Sequence, residues 1–170
     1  MRKCYSLVLA CLVFAVAGCS RQKSSEVIKS YPLDSLDGVI AQSGVFLDSA
    51  VSADGKGSIR IESSGEMTVP LFEVNDLQID NARLLYQAKV RVENVFGQVY
   101  LEMLCHFPGG GEYFSRGQMT LLSGTTDWTS QETPFLLRKG EMPDLVKLNL
   151  VVNGQGRAWI DDIKLVRAPL

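Results

Sequence analysis

Three observations predict an all-β chain folded as an antiparallel two-sheet jelly-roll β-sandwich. Apolar residues recur with a period of two over most of the chain. Glycine-rich turns separate these runs, and no long apolar stripe of helical period occurs beyond residue 18. About eight or nine short strands within one domain each need a buried face, which calls for a closed barrel or a second sheet.

The N-terminus comes first, because targeting segments stand outside the fold. In MRKCYSLVLACLVFAVAGCS, Arg2 and Lys3 precede an uncharged apolar run over residues 5–17. A membrane-spanning helix needs about 20 apolar residues, so the shorter run behind a basic start reads as a secretory signal. It ends in Val16-Ala17-Gly18-Cys19, which resembles a bacterial lipobox. The resemblance implies cleavage after residue 18, acylation of Cys19, and a lipid bilayer as the first partner. Ser20 resembles the residue that follows the cysteine in lipoproteins sorted to the outer membrane of Gram-negative envelopes. The predicted organisation is therefore a signal over 1–18, a lipidated cysteine and flexible tether over 19–30, and one sandwich domain over 31–170. Residues 20–30 are polar and aperiodic, and fully extended they reach at most about 35–40 Å.

Loss of Arg2 and Lys3 takes the formal net charge from −2 to −4. No basic patch with interleaved aromatics occurs, which argues against nucleic acid as a partner. Of the four cysteines, Cys4 and Cys11 leave with the signal and Cys19 takes lipid. Cys105 remains alone within an apolar strand and reads as a small buried hydrophobe, so no intramolecular disulfide is expected.

The strands follow in order. Weaker runs cover 45–50, 58–63 and 67–74. Leu84, Tyr86, Ala88, Val90 and Val92 alternate with Leu85, Gln87, Lys89, Arg91 and Glu93. Val99, Leu101, Met103, Cys105 and Phe107 alternate with Tyr100, Glu102, Leu104 and His106. Further runs cover 113–122 and 132–137, then Val146, Leu148, Leu150 and Val152 alternate with Lys147, Asn149, Val151 and Asn153, and 157–166 ends the pattern. Turns are expected at 53–57, 108–111, 123–127 and 153–156, all rich in glycine.

The C-terminal third carries a resemblance. Gly124-Thr125-Thr126-Asp127-Trp128-Thr129 leads into a strand, and Trp159-Ile160-Asp161-Asp162-Ile163-Lys164-Leu165 ends the pattern. Upstream lies Asp54-Gly55-Lys56-Gly57-Ser58-Ile59-Arg60-Ile61. Together these are similar to the galactose-binding-like jelly rolls, including many carbohydrate-binding modules. The resemblance implies a non-catalytic glycan-binding domain. It also implies a structural calcium near Asp161 and Asp162, set against a plain reading in which both bond backbone amides at a bulge. Trp128 and Trp159 are weighed as stacking platforms, with core packing the stronger reading for both.

The stretch LCHFPGGGEYFSRG holds the only histidine. Pro108 cannot donate to a ladder, and three glycines supply a tight return, so it is a hairpin tip. No helix pattern follows Gly111, which excludes a phosphate-binding loop. A four-residue loop sets His106 opposite Tyr113, and Tyr100, His106, Tyr113, Arg91, Lys89 and Glu102 are then expected on one outward face as a ligand-binding patch. The leading expectation is an envelope lipoprotein that recognises a glycan. The alternatives are a structural lipoprotein docked on an envelope protein complex and, remotely, a polyuronate lyase using His106 and Tyr113. No nucleophile elbow or multi-histidine metal set supports any other enzyme.

Overall fold

The computed structural model describes residues 24–170. Seven antiparallel strands form one hydrogen-bonded network: β1 (Glu26–Tyr31), β2 (Val45–Asp48), β3 (Ser58–Asn75), β4 (Ala82–Phe107), β5 (Gly111–Arg116), β6 (Leu122–Leu137) and β7 (Leu145–Ala168). A single 3-10 turn, Gln118–Thr120, links β5 to β6. The order is β2-β3-β7-β4-β5, with β1 on β7 and β6 on β4.

The network doubles back on itself. Leu84 and Phe107 lie on the same strand, which if straight would separate them by roughly 75 Å. Yet Phe135, the register partner of Leu84, stands with its ring 6.1 Å from that of Phe107. Strands β4 and β7, and with them β3, therefore run through one layer, fold over, and return through a second. The first layer holds residues 58–63, 82–93 and 157–168 with β1, β2 and most of β6. The second holds 67–75, 96–107 and 145–153 with β5. Ser115 Oγ lies 2.8 Å from Thr133 Oγ1, which joins β5 to β6 and closes one side. Two packed layers of antiparallel strands make the jelly-roll sandwich that the period-two pattern predicts.

The fold line is written in glycine. Gly65, Gly154 and Gly97 are register neighbours across β3, β7 and β4. Gly97 and Gly154 have φ of 141° and 138°. A Cβ on Gly97 would strike the carbonyl oxygen of Asn153, and one on Gly154 that of Phe96. At Gly97 and Gly154 only residues without a side chain let the strands cross, whereas Gly65 has open space around it. Across this line the buried set of β4 changes parity, from Leu84, Tyr86, Ala88, Val90 and Val92 to Val99, Leu101, Met103 and Cys105. Both sets then face the space between the layers, where the main core sits.

Three expectations need correction. Residues 153–156 and 123–127 are not turns between strands but bends inside β7 and β6. The tether expected through residue 30 ends earlier, because β1 pairs with residues 163–167 of β7. A polar, largely exposed segment becomes a strand there because β7 offers unpaired backbone groups. Finally, the predicted run 113–122 is broken at residue 117, where the chain turns from β5 into β6. Cys105 is fully buried in the core, as its strand pattern implies. Burial, with a smaller contribution from Glu112, pushes its thiol up to about 12. The signal segment and Cys19 lie outside the described residues.

Gly154→Ala should destabilise the protein by about 3 kcal/mol or more, combining positive-φ strain with a backbone clash. Urea denaturation checks it. Gly55→Ala, which has a positive φ but open space around it, should cost much less.

Candidate recognition surface

The outward face of the second layer is built in rows. Pro70, Asn149, Glu102 and Arg116 form one row across β3, β7, β4 and β5. Val151 and Tyr100 lie in the row nearer the fold line, and Glu73, Lys147, Leu104 and Phe114 in the row nearer the hairpin tip. Glu102 faces outward yet is only 5% exposed. Its carboxylate accepts from Arg116 Nε at 2.6 Å and from Asn149 Nδ2 at 3.2 Å. Such a charge is tolerated in a low-dielectric position because both oxygens find donors. The same pairing raises the basicity of Arg116. The Arg116 guanidinium in turn lies over the Phe114 ring, 4.3 Å from its centroid. Phe114 is 61% exposed, and Tyr100 is half-buried on the same face, in the row on the other side of Glu102. The result is a pre-organised polar cluster flanked by two rings. Planar hydrogen-bonding groups at the edge of aromatic platforms suit a ligand with hydroxyl edges and apolar ring faces.

The structure splits the residues that the sequence grouped together. Tyr100, Glu102 and His106 share this face. Arg91 and Lys89 lie on the other side of the fold line, so they project from the opposite side of the molecule. There Arg91 packs over the Trp159 ring at 5.5 Å, and Lys89 donates to Ser130 Oγ at 2.7 Å. Tyr113 is opposite Cys105, not His106, because the hairpin loop has three residues rather than four. A slip of one residue sends a side chain to the other face. The facing His106–Tyr113 pair therefore does not form. His106 lies across from Glu112 and its Nδ1 is 2.6 Å from Asp144 Oδ1, while Tyr113 donates to Gly110 O. Phe114 and Arg116, which the sequence reading did not place in the patch, take the places it gave to Tyr113 and Arg91. The alternation alone held the signal, but only with the correct loop length.

A second feature opens at the end of the sandwich. A groove of about 1010 Å³ runs between the β4–β5 tip and the β6–β7 loop, lined by Phe107, Tyr113, Phe135, Arg138, Met142 and Asp144 among others. Its acids are already engaged, Asp144 by His106 and Glu141 by the Arg138 amide.

Trp159 is buried but outside the main core, on the outer face of the first layer. Its Nε1–H donates to Asp48 at 2.9 Å, and this bond holds the Asp48 carboxyl below the usual aspartate range. Trp128 is half-buried on β6. Asp161 is fully buried, and its two oxygens accept from the amides of Ala53 (2.8 Å) and Asp162 (2.7 Å). Burial pushes its carboxyl up against those two hydrogen bonds. Asp162, at φ 50° in the bulge, accepts from Lys164 Nζ at 2.8 Å. Calcium wants six to eight oxygens. Here the aspartates are spent on protein donors, and among the described residues no group of three or more acidic, histidine or cysteine side chains is placed to hold a metal. The donor set does not fit the ion. Asp161 instead ties the loop before β3 to the last strand.

No family model and no curated protein matches this chain. Solved structures do share its fold. The CBM22-1 xylan-binding domain from Paenibacillus barcinonensis Xyn10C superposes with a TM-score of 0.64 at 14% identity, covering 87% of this chain and 98% of that one. A family 16 carbohydrate-binding module gives 0.55 at 13% identity, covering 76% and 91%. A further xylan-binding domain from CBM 22 gives 0.56 at 9% identity, covering 85% and 96%. At these identities the likeness establishes the jelly-roll sandwich.

Asp161→Ala should cost about 1–3 kcal/mol, since the amides of Ala53 and Asp162 lose their buried acceptor. Calcium or chelator should leave the melting temperature of both forms unchanged. Because the Asp48 carboxyl is depressed in the fold, its stabilisation is complete above the ordinary aspartate value of about 3.9 and fades as pH falls below it. Asp48→Asn should therefore lower stability at neutral pH and flatten the loss between about pH 4 and 2, as read by thermal melts.

Proposed function

We propose that this protein is a lipid-anchored envelope protein that binds a glycan, without catalysis, on the outward face of its second layer. The observation that carries the reading is the cluster of buried Glu102 and Asn149 with exposed Arg116, between Tyr100 and Phe114. Aromatic rings stack on the apolar faces of sugars, and fixed planar polar groups hydrogen-bond their hydroxyl edges. The arrangement costs little entropy on binding, because Glu102 and Asn149 are already held. The carbohydrate-binding modules that share the fold support this reading, as does the lipobox for the anchor at Cys19. The lyase alternative loses its motive with the separation of His106 from Tyr113. Docking on an envelope protein complex is the competing role of the same anchored domain.

The test uses the chain from residue 19 with Cys19→Ser, screened by affinity electrophoresis and calorimetry against plant, algal and bacterial wall polysaccharides. Xylan heads the panel, because two of the structural neighbours are xylan-binding domains. Tyr100→Ala and Phe114→Ala should each weaken binding about tenfold. Tyr113→Ala, on the end groove, should not. Loss with Tyr113→Ala alone moves the site to the groove. A folded protein that binds nothing in the panel, but is captured with a defined envelope complex, replaces the glycan reading with docking. Metabolic labelling with palmitate, lost in Cys19→Ser cells, checks the anchor.

A further inference from the structure

Both ends of β4 and of β7 meet at the end of the sandwich away from the glycine line, and β1 enters there. Glu26, the first residue of β1, is paired with Arg167 near the end of β7. From Cys19 to Glu26 are seven residue steps, at most about 23–25 Å when fully extended. With a lipid on Cys19, this end of the domain is held closest to the bilayer.

That end is unusual in two independent ways. Leu85, Val166 and Ala168 form a small apolar cluster separate from the main core, on the outward face of the first layer. The register sets Val27 beside Val166, and Leu136 beside Arg83. Val27, Leu136 and the terminal Leu170 are 53%, 62% and 67% exposed. Apolar side chains so grouped and so exposed are normally covered. The second feature is charge. The described part of the protein pairs many of its charges in ion pairs, for example Arg116 with Glu102 and Lys147 with Glu112. At this end Arg83, Arg138, Lys139 and Arg167 make no ion pair among the described residues. Of the nearby acids, Asp80 accepts from the Gly140 amide and Glu141 from the Arg138 amide, while Glu26 stands across from Arg167 without an ion-pair contact among the described residues. A chain with a net negative charge thus gathers free cations around an exposed apolar patch, where its anchor attaches.

We infer that this open end is a membrane-docking surface, seated on the anionic headgroups of the leaflet that holds the lipid anchor. The inference rests on the anchored reading of Cys19. Apolar side chains enter the interfacial zone while the cations meet lipid phosphates, each basic residue adding attraction that salt screens. Docking turns a loosely leashed domain into an oriented one. The outward face of the second layer then stands beside the membrane, clear of it, and open to a glycan.

The test uses the acylated full-length mature chain in vesicles of phosphatidylethanolamine and phosphatidylglycerol, with a quencher on the headgroup. A fluorophore is placed at Leu136→Cys, and in a second protein at Phe96→Cys. Phe96 is 74% exposed beside the fold line, at the opposite end; Cys105 is buried and does not compete for label. Docking predicts several-fold stronger quenching at position 136 than at 96. Arg83→Glu combined with Arg167→Glu should shift the docked-to-free ratio by about tenfold or more, and replacing phosphatidylglycerol with phosphatidylcholine should act in the same direction. Equal quenching at both positions, or none at 136, overturns the inference. So does a label at 136 shielded by a second copy of the chain, seen as dimers in detergent that Leu136→Glu dissociates. A mass spectrum without acyl groups on Cys19 overturns the anchored reading itself, and this inference with it. Glycan binding is measured on the unanchored chain and is unaffected by any of these results.

Discussion

The close crossing of three strands at Gly65, Gly154 and Gly97 is the constraint on which the rest of the structure depends. A backbone that continues its hydrogen bonds through a sharp fold brings carbonyl oxygens against neighbouring Cα atoms. At Gly97 and Gly154 there is no room for a side chain. Because the ladder is not interrupted there, the two layers share strands rather than being joined by loops. Their separation and facing surfaces follow from one line across the sheet. Ser63 reinforces it by donating to Gly154 O at 2.8 Å.

That line also decides which residues share a surface. Residues a few positions apart on β4 end on opposite sides of the molecule, so Arg91 and Tyr100 serve different surfaces. Arg91 helps to cover Trp159, while Tyr100 flanks the Glu102–Arg116–Asn149 cluster. The cluster combines burial with outward orientation, which only a sheet face with long flanking side chains provides. Such groups are costly to bury unless fully paired, and once paired they are rigid. A rigid polar edge between two rings loses little motion when it meets a ligand.

The same doubling-back gathers chain ends, loop 138–144 and hairpin tip at one end of the sandwich. The first described strand, β1, enters there. The exposed side chains of Val27 and Leu136 and the basic residues Arg83 and Arg167 therefore come to one end through topology rather than through any local motif. The Glu102–Arg116–Asn149 cluster lies on a different layer.

Much of the fold was legible in the sequence. Alternation in 84–92, 99–107 and 146–152 identified the inward residues, because a strand with one buried face must repeat every two positions. The hairpin at 108–110 was legible from its proline and glycines, and Cys105 from its place in an apolar run. Residue pattern alone was enough for most strands, their inward faces and the buried Cys105. Only the tertiary structure decided the rest. Glycines at 154 and 156 mark a turn and a fold line with the same letters, and local chemistry does not tell the two apart. Glu26–Tyr31 has too weak a pattern to be a strand until β7 offers its free edge. A hairpin loop one residue shorter than expected exchanged Tyr113 for Phe114 and Arg116 on the recognition face. Side-chain facing has a period of two, so a single step of register, set by long-range pairing, reverses it.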